Sequence, residues 1–432
     1  MSEELVGWTS APNVRGTIDI IWSCIFVVFL STWTTLHVNV PPVKKSPLWR
    51  LQSKALLMGV GLIAPELVAT CAFTELRTSL TVRSHMRDLA YEDWSLAQSF
   101  FVAMGGYMLR FNEDYKPISA ENFIKWQRSG IIRVDRFTDQ SKGLHLPGSV
   151  VELPWISKKD IASRGKADVL LKGIACAHIG WLLVQYIARR VQSLATSSLE
   201  ALTVAYIICA LFSYAAWWKK PYDLELPMAT TVFPEHEVAF LLEDKPSSIS
   251  MIDDPDLPLL HDVLWTYIIP CTAAVLAFSA LHFLAWNDHF GTLTEEWLWR
   301  ASAVLFVWFH LVFLAFAAYM EKYMKIPPTA ANLAIIGNCA EVKGVWYLFH
   351  GLKFLTFGNS NATLNRIDEV LLSKWQSDYA TNWPLVVFFD THTICYFAGR
   401  FFVLIEAFAS LRRAPAGLYE NVNWSGFIPH VH

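Results

Sequence analysis

Charge is scarce in this chain. Only 17% of its 432 residues are Asp, Glu, Lys or Arg, against about 25% in soluble globular proteins, while 54% are hydrophobic. One soluble core cannot bury that surplus, so the composition predicts a polytopic membrane protein. The formal net charge is −3, and no basic stripe is available to neutralise phosphates, which excludes nucleic-acid binding as a leading function. The seven cysteines (Cys24, Cys71, Cys176, Cys209, Cys271, Cys339 and Cys395) fall mostly one per apolar segment. They form no CxxC pair, so neither a zinc knuckle nor a secreted disulfide framework is expected. The start, Met-Ser-Glu-Glu, has no basic n-region. The expectation is therefore a retained first helix rather than a cleaved signal peptide.

Motifs are missing too. There is no HxxHH-type histidine box, which argues against a di-iron desaturase. No GxxxxGK[ST] loop, GxGxxG fingerprint or HExxH zinc motif occurs, and the DxDD acid motif of soluble protonating cyclases is absent. Asp253, Asp254 and Asp256 form Asp-Asp-Pro-Asp. That cluster lacks the fifth-position Asp of a DDxxD diphosphate–magnesium motif, and Pro255 interrupts any helix, so a solvated loop is the plainer reading. No metal and no cofactor are expected.

What is present is a series of apolar segments near the ~20 residues a helix needs to cross a bilayer. They run over 17–37, 54–74, 168–188, 199–218, 262–286, 297–319 and 383–409. The expected fold is an all-α, polytopic transmembrane helix bundle of seven spans, or eight if the shorter stretch 95–111 also crosses. The whole chain, 1–432, reads as a single membrane domain. Residues 112–167 read as a polar extramembrane or interfacial insertion, and 221–259, with six prolines, as a loop. Segment 331–357, interrupted by Glu341, Lys343 and Lys353, reads as amphipathic. Basic pairs after segments one, three and seven (Lys44 and Lys45, Arg189 and Arg190, Arg412 and Arg413) predict a cytosolic side, although Lys219 and Lys220 point the other way. The expected compartment is an internal membrane, the endoplasmic reticulum.

Charges inside apolar segments are the strongest functional signal, because each costs about 2.5–3.5 kcal/mol at the bilayer centre. Glu66 is thirteenth in its segment and follows Pro65, which frees a backbone carbonyl. Asp390 precedes Thr391 and His392, and His392, Tyr396, Gly399, Val403 and Glu406 share one helical face. For Arg400 and Glu406 a polar seam near the membrane edge is the bland account. Arg15 and Asp19, four apart, read as a local ion pair at a helix start. His282 and His310 read as packing residues. Trp217, Trp218, Lys219 and Lys220 form an interfacial anchor by default; in a sharper reading the two tryptophans cap a cavity mouth.

Several phrases resemble a large family of fungal integral membrane proteins. They are Trp8 to Thr17, Trp33 to Pro41 with His37 and Asn39, Ala64-Pro65-Glu66, Trp94 to Gly106, Lys166 to Gly173, Tyr214 to Pro221, and Trp424 to His430. That family is similar to the membrane-bound terpene cyclases of fungal meroterpenoid clusters, which close a farnesyl chain by protonating an olefin or epoxide. The resemblance implies a metal-independent enzyme of secondary metabolism whose partner is a lipophilic prenylated small molecule within the bilayer. Glu66 or Asp390 would be the acid, with His392 or a second carboxylate taking the final proton. Trp217, Trp218, Tyr396 and Gln98 would line the substrate. Gln98 departs from the His expected before the Phe-Phe-x-x-Met-Gly-Gly phrase. The alternative is a proton- or solute-coupled transporter or channel in which the buried charges form the path, although no internal repeat is visible. A receptor or signalling scaffold rests on the span count alone.

Overall fold

The computed structural model describes residues 5–9, 14–40, 47–111, 114–135, 151–164, 168–222, 224, 227–231, 269–324, 391–392 and 394–424. Asp390, segment 331–357 and most of the Pro-rich stretch lie outside the described residues.

The chain starts in a two-residue strand, β1 (Leu5–Val6), and enters α1 (Thr17–Thr35). Asp19 accepts the Gly16 N–H at 2.9 Å, tying off one of the donors a helix start leaves open. Ile18, Trp22, Ile25 and Phe29 are exposed on one face of α1, while Ile20, Cys24, Val27 and Ser31 are buried on the other. An apolar stripe facing outward suits lipid, not water.

Segment 54–74 was expected to be one span, and here the structure differs. It belongs to two helices, α2 (Pro47–Ile63) and α3 (Pro65–Asp88), whose axes bend by 118° at Ala64. Pro65 has no N–H to give, so the hydrogen-bond ladder stops there. The hydroxyl of Tyr206 donates to the Leu62 carbonyl that the break releases.

The stretch 95–111, an optional eighth span in the sequence reading, does not form one helix. α4 (Leu96–Ala103) has eight residues and passes into strand β2 (Tyr107–Phe111). Gly106 makes the turn possible: a Cβ there would stand 2.5 Å from the Phe101 carbonyl oxygen. β2 pairs antiparallel with β3 (Asp114–Pro117). Then come α5 (Ala120–Arg128), β4 (Ile132–Asp135), β5 (Val151–Pro154) and α6 (Lys158–Arg164). β4 and β5 are parallel partners. The expectation of an all-α chain is thus corrected, because this layer closes its backbone with strands. It is larger than the insertion expected at 112–167. Its core joins Trp94, Phe101 and Tyr107 to Phe123, Trp126, Val134 and Leu153. β6 (Met228–Thr231), inside the expected Pro-rich loop, adds a parallel edge to β2.

Helices α7 (Asp168–Val191), α8 (Ser198–Trp217), α9 (Ile269–Leu281), α10 (Leu293–Met324) and α11 (Ile394–Arg412) complete the helical part, and β7 (Ala414–Pro415) closes on β1. α8 starts at a capping box, in which Ser197 and Glu200 satisfy each other's backbone N–H groups. It is apolar nearly all round and buried nearly all round, as a central helix should be. Among the described residues, α1, α8 and α11 are long and apolar enough to cross a membrane, and the bent α2–α3 pair makes a fourth if it counts as one broken span. The expected segments 168–188 and 297–319, and the described part of 262–286, are helical as well, in α7, α10 and α9.

Candidate functional site

The break between α2 and α3 puts Glu66 in the first turn of a helix that begins inside the bundle. Its side chain is 1% exposed. It meets Arg400 of α11, whose Nη2 donates to Oε1 at 2.7 Å. The Tyr396 hydroxyl donates to the same oxygen and accepts from Arg400 Nε at 3.0 Å and Nη2 at 2.8 Å. Three groups thus share one proton-bearing junction. The other carboxylate oxygen, Oε2, is buried and has no hydrogen-bond partner among the described residues.

The remaining Arg400 nitrogen, Nη1, lies 3.1 Å from His282 Nε2. His282 Nδ1 lies near the Phe278 and Ser279 carbonyls, at 3.3 and 3.2 Å. A donor on Nδ1 leaves Nε2 to accept from the guanidinium, so this imidazole is neutral. The guanidinium carbon stands over Phe306 at 4.2 Å and Phe278 at 4.7 Å, a cation between aromatic faces. Gly399 allows that approach, since a Cβ there would meet the Phe306 ring at 3.1 Å. Phe309 stacks on Tyr396 at 4.5 Å, and His310 meets Tyr396 edge-on at 5.6 Å.

A second buried pair lies farther along α3. Glu75 Oε2 accepts from Lys220 Nζ at 2.5 Å and from Trp217 Nε1 at 2.7 Å, and Lys220 also donates to Asn39 at 3.0 Å. Burial pulls the Lys220 ammonium below its ordinary value, and Glu75 pulls it back up. A third carboxylate, Asp288, sits in the turn between α9 and α10. It pairs with Arg190 at 3.2 Å while its Oδ2 is buried without a partner among the described residues. Burial pushes it up to about 7, with Arg190 opposing.

The expected site residues are therefore not all together. Glu66 and Tyr396 are in contact. His392, one turn before Tyr396, accepts from Trp308 Nε1 at 3.1 Å, and Trp308 is exposed. Trp217 belongs to the Glu75 pair, and Trp218 is 60% exposed. Gln98 is a capping residue: its carbonyl oxygen accepts from the Ser95 N–H at 2.7 Å and its amide donates to the Ile156 carbonyl at 2.8 Å. Asp390 lies outside the described residues. Arg400, His282 and His310, read from the sequence as a polar seam and as packing, stand at the centre, and Glu75 went unremarked. One signal did point to Arg400. A carboxylate inside an apolar bundle needs a cation, and Arg400 is the cation in the middle of the last apolar helix.

Among the described residues, no group of three or more His, Cys, Asp or Glu is placed to hold a metal ion. No curated protein and no solved structure matches the chain. A family model does match, over residues 1–256 and 353–431, and the chain belongs to that family, described as a family of unknown function (DUF8562).

Proposed function

We propose that the chain is a proton-coupled carrier of an anionic solute, with the Glu66–Arg400 pair as the exchange site. The observation that carries the reading is the half-satisfied carboxylate beside a guanidinium whose three nitrogens are all engaged, at a helix break. While Glu66 is ionised, the pair is neutral overall and Arg400 is occupied. A proton arriving at Oε2 removes the counter-charge. Arg400 is then a buried cation without a partner, a state costing several kcal/mol, and an incoming carboxylate or phosphate relieves it. Proton and anion are thereby linked, each favouring the other's arrival. The first turn of α3 adds the positive end of a helix dipole at the same place, and broken helices of this kind serve carriers as solute sites.

A second reading, the membrane-bound cyclase of prenyl chains, is favoured by the aromatic shell of Phe278, Phe306, Phe309 and Tyr396. In that reading Glu66 changes role. Its ion pair with Arg400 at 2.7 Å suits it to take the final proton rather than supply the first. The compartment we propose is the endoplasmic reticulum, the one expected from the sequence.

One preparation tests both. Proteoliposomes loaded with a pH dye receive succinate, inorganic phosphate or farnesyl phosphate under an imposed proton gradient. Anion-dependent acidification in the wild type, lost in Glu66→Gln, supports the carrier. No acidification above empty liposomes with any of the three overturns it. The same protein given a farnesyl hydroquinone or its terminal epoxide forms a ring product only under the second reading.

A further inference from the structure

A cavity of about 450 Å³ lies between α1 and α7, beneath residues 421–424 that follow α11. Its size falls within the range of small-molecule sites, about 300–1,000 Å³. None of the Glu66, Glu75 or Asp288 groups lines it. One part of the lining is charged, from Arg15, Asp19 and Arg189; another is apolar or aromatic, including Phe26, Trp181 and Trp424.

The charged part is unevenly committed. The Arg189 guanidinium is used up by the carbonyls of Ala195, Gly417, Leu418 and Glu420, which pins the C-terminal segment in place. Arg15 gives Nη2 to Glu200 at 2.5 Å, while its Nη1 is buried and has no hydrogen-bond partner among the described residues. That nitrogen is shut off from the cavity, so Arg15 and Arg189 act on its contents through their positive charge. Asp19 is exposed and brings a negative charge to the same cavity, so a ligand of one sign would meet repulsion there. Trp181 and Trp424 stack at 5.4 Å, and His178 meets Phe26 edge-on at 5.1 Å. Aromatic faces beside a carboxylate suit an ammonium group. The exposed apolar stripe of α1, with Trp22 and Phe29, runs beside the cavity over the same turns of the helix.

We propose that this cavity seats the headgroup of a zwitterionic phospholipid of the bilayer. The phosphate lies beside the Arg15 and Arg189 guanidinium groups, the ammonium lies between Asp19 and the tryptophans, and the acyl chains follow the α1 stripe. Phosphate and ammonium are covalently joined in one headgroup, which explains why both charges are needed in one cavity.

The test is native mass spectrometry of the full chain in detergent, titrated with phosphatidylcholine, phosphatidylglycerol and water-soluble glycerophosphocholine. One retained phosphatidylcholine is expected, bound more tightly than phosphatidylglycerol, with glycerophosphocholine bound weakly for want of acyl chains. Trp181→Leu should weaken retention by about fivefold, the value of one exposed cation–aromatic contact. Asp19→Asn keeps the helix cap but should reverse the preference toward phosphatidylglycerol, an effect a merely structural Asp19 would not produce. Arg15→Gln should abolish retention; where it fails to fold, the other two variants decide. Equal retention of both lipids, unmoved by Asp19→Asn and Trp181→Leu, overturns the proposal, as does tight binding of glycerophosphocholine with no lipid retained.

Discussion

Helix α3 carries two buried carboxylates that meet the same demand differently. Nine residues separate Glu66 from Glu75, which at about 100° per residue sets them on opposite faces. Glu75 pairs with Lys220, a point charge, and Trp217 and Asn39 complete the set. Glu66 pairs with Arg400, shares Tyr396 with it, and keeps one oxygen without a partner among the described residues. A closed network specifies how α3, α8 and the residues after α1 pack. An open one leaves a buried acceptor unused, at a cost in stability that packing alone does not require. Under the carrier reading we propose, this difference makes Glu66 the chemical centre and Glu75 a structural tie.

The largest test removes one cation from each pair. Arg400→Met and Lys220→Met should each cost about 3–5 kcal/mol, since each leaves a buried carboxylate uncompensated; thermal unfolding in detergent measures it. A loss below about 1 kcal/mol in either would mean that its pair is solvated.

Asp288 provides a half-satisfied carboxylate outside the membrane segments. Its ordinary value is 3.8 and its folded value about 7, so between these the folded state binds more protons than the unfolded one. Stability is therefore full below pH 3.8 and declines as pH rises through 7, by about 2–4 kcal/mol in total. Asp288→Asn should flatten that slope, and an unchanged slope would assign the pH dependence elsewhere.

Replacing both partners sharpens the contrast further. Glu75→Leu with Lys220→Met should return to within about 1–3 kcal/mol of the wild type, the Trp217 donor being the residual cost. It should also keep anion-driven proton flux. Glu66→Leu with Arg400→Met should recover stability similarly but lose the flux. Flux in both doubles, or in neither, would erase the distinction.

The smallest effect is expected at Gln98, whose hydrogen bonds go to Ser95 and Ile156. Gln98→Ala removes a capping residue and should cost about 1 kcal/mol, with transport unchanged when corrected for folded protein. Loss of transport at full stability would return Gln98 to the site.

Much of this was legible in the residues. The exposed stripe of α1 follows helical spacing, and the buried positions Tyr396, Gly399, Val403 and Glu406 of α11 are the face expected from their period. Gln98 was legible in principle, because Ser95 with Gln98 three residues later is a capping-box signature. Pro65 was legible as a freed carbonyl within a single span, and nothing local said that the chain would turn by 118° there. Arg400 as a polar seam and His282 as a hydrogen-bonded packing residue fit what the structure shows; their meeting with Glu66 was not legible, because each residue is read on its own helix. The partner of Arg400 is 334 positions away, and helical period carries no information across that distance.

The sequence by itself determined that long apolar helices would form and that a carboxylate among them needed an answering charge, because hydrocarbon tolerates neither open backbone groups nor lone ions. Only the tertiary structure decided which cation answers which acid, and which oxygen is left over. Those outcomes depend on the relative depth and rotation of helices, set by packing between side chains remote in the chain.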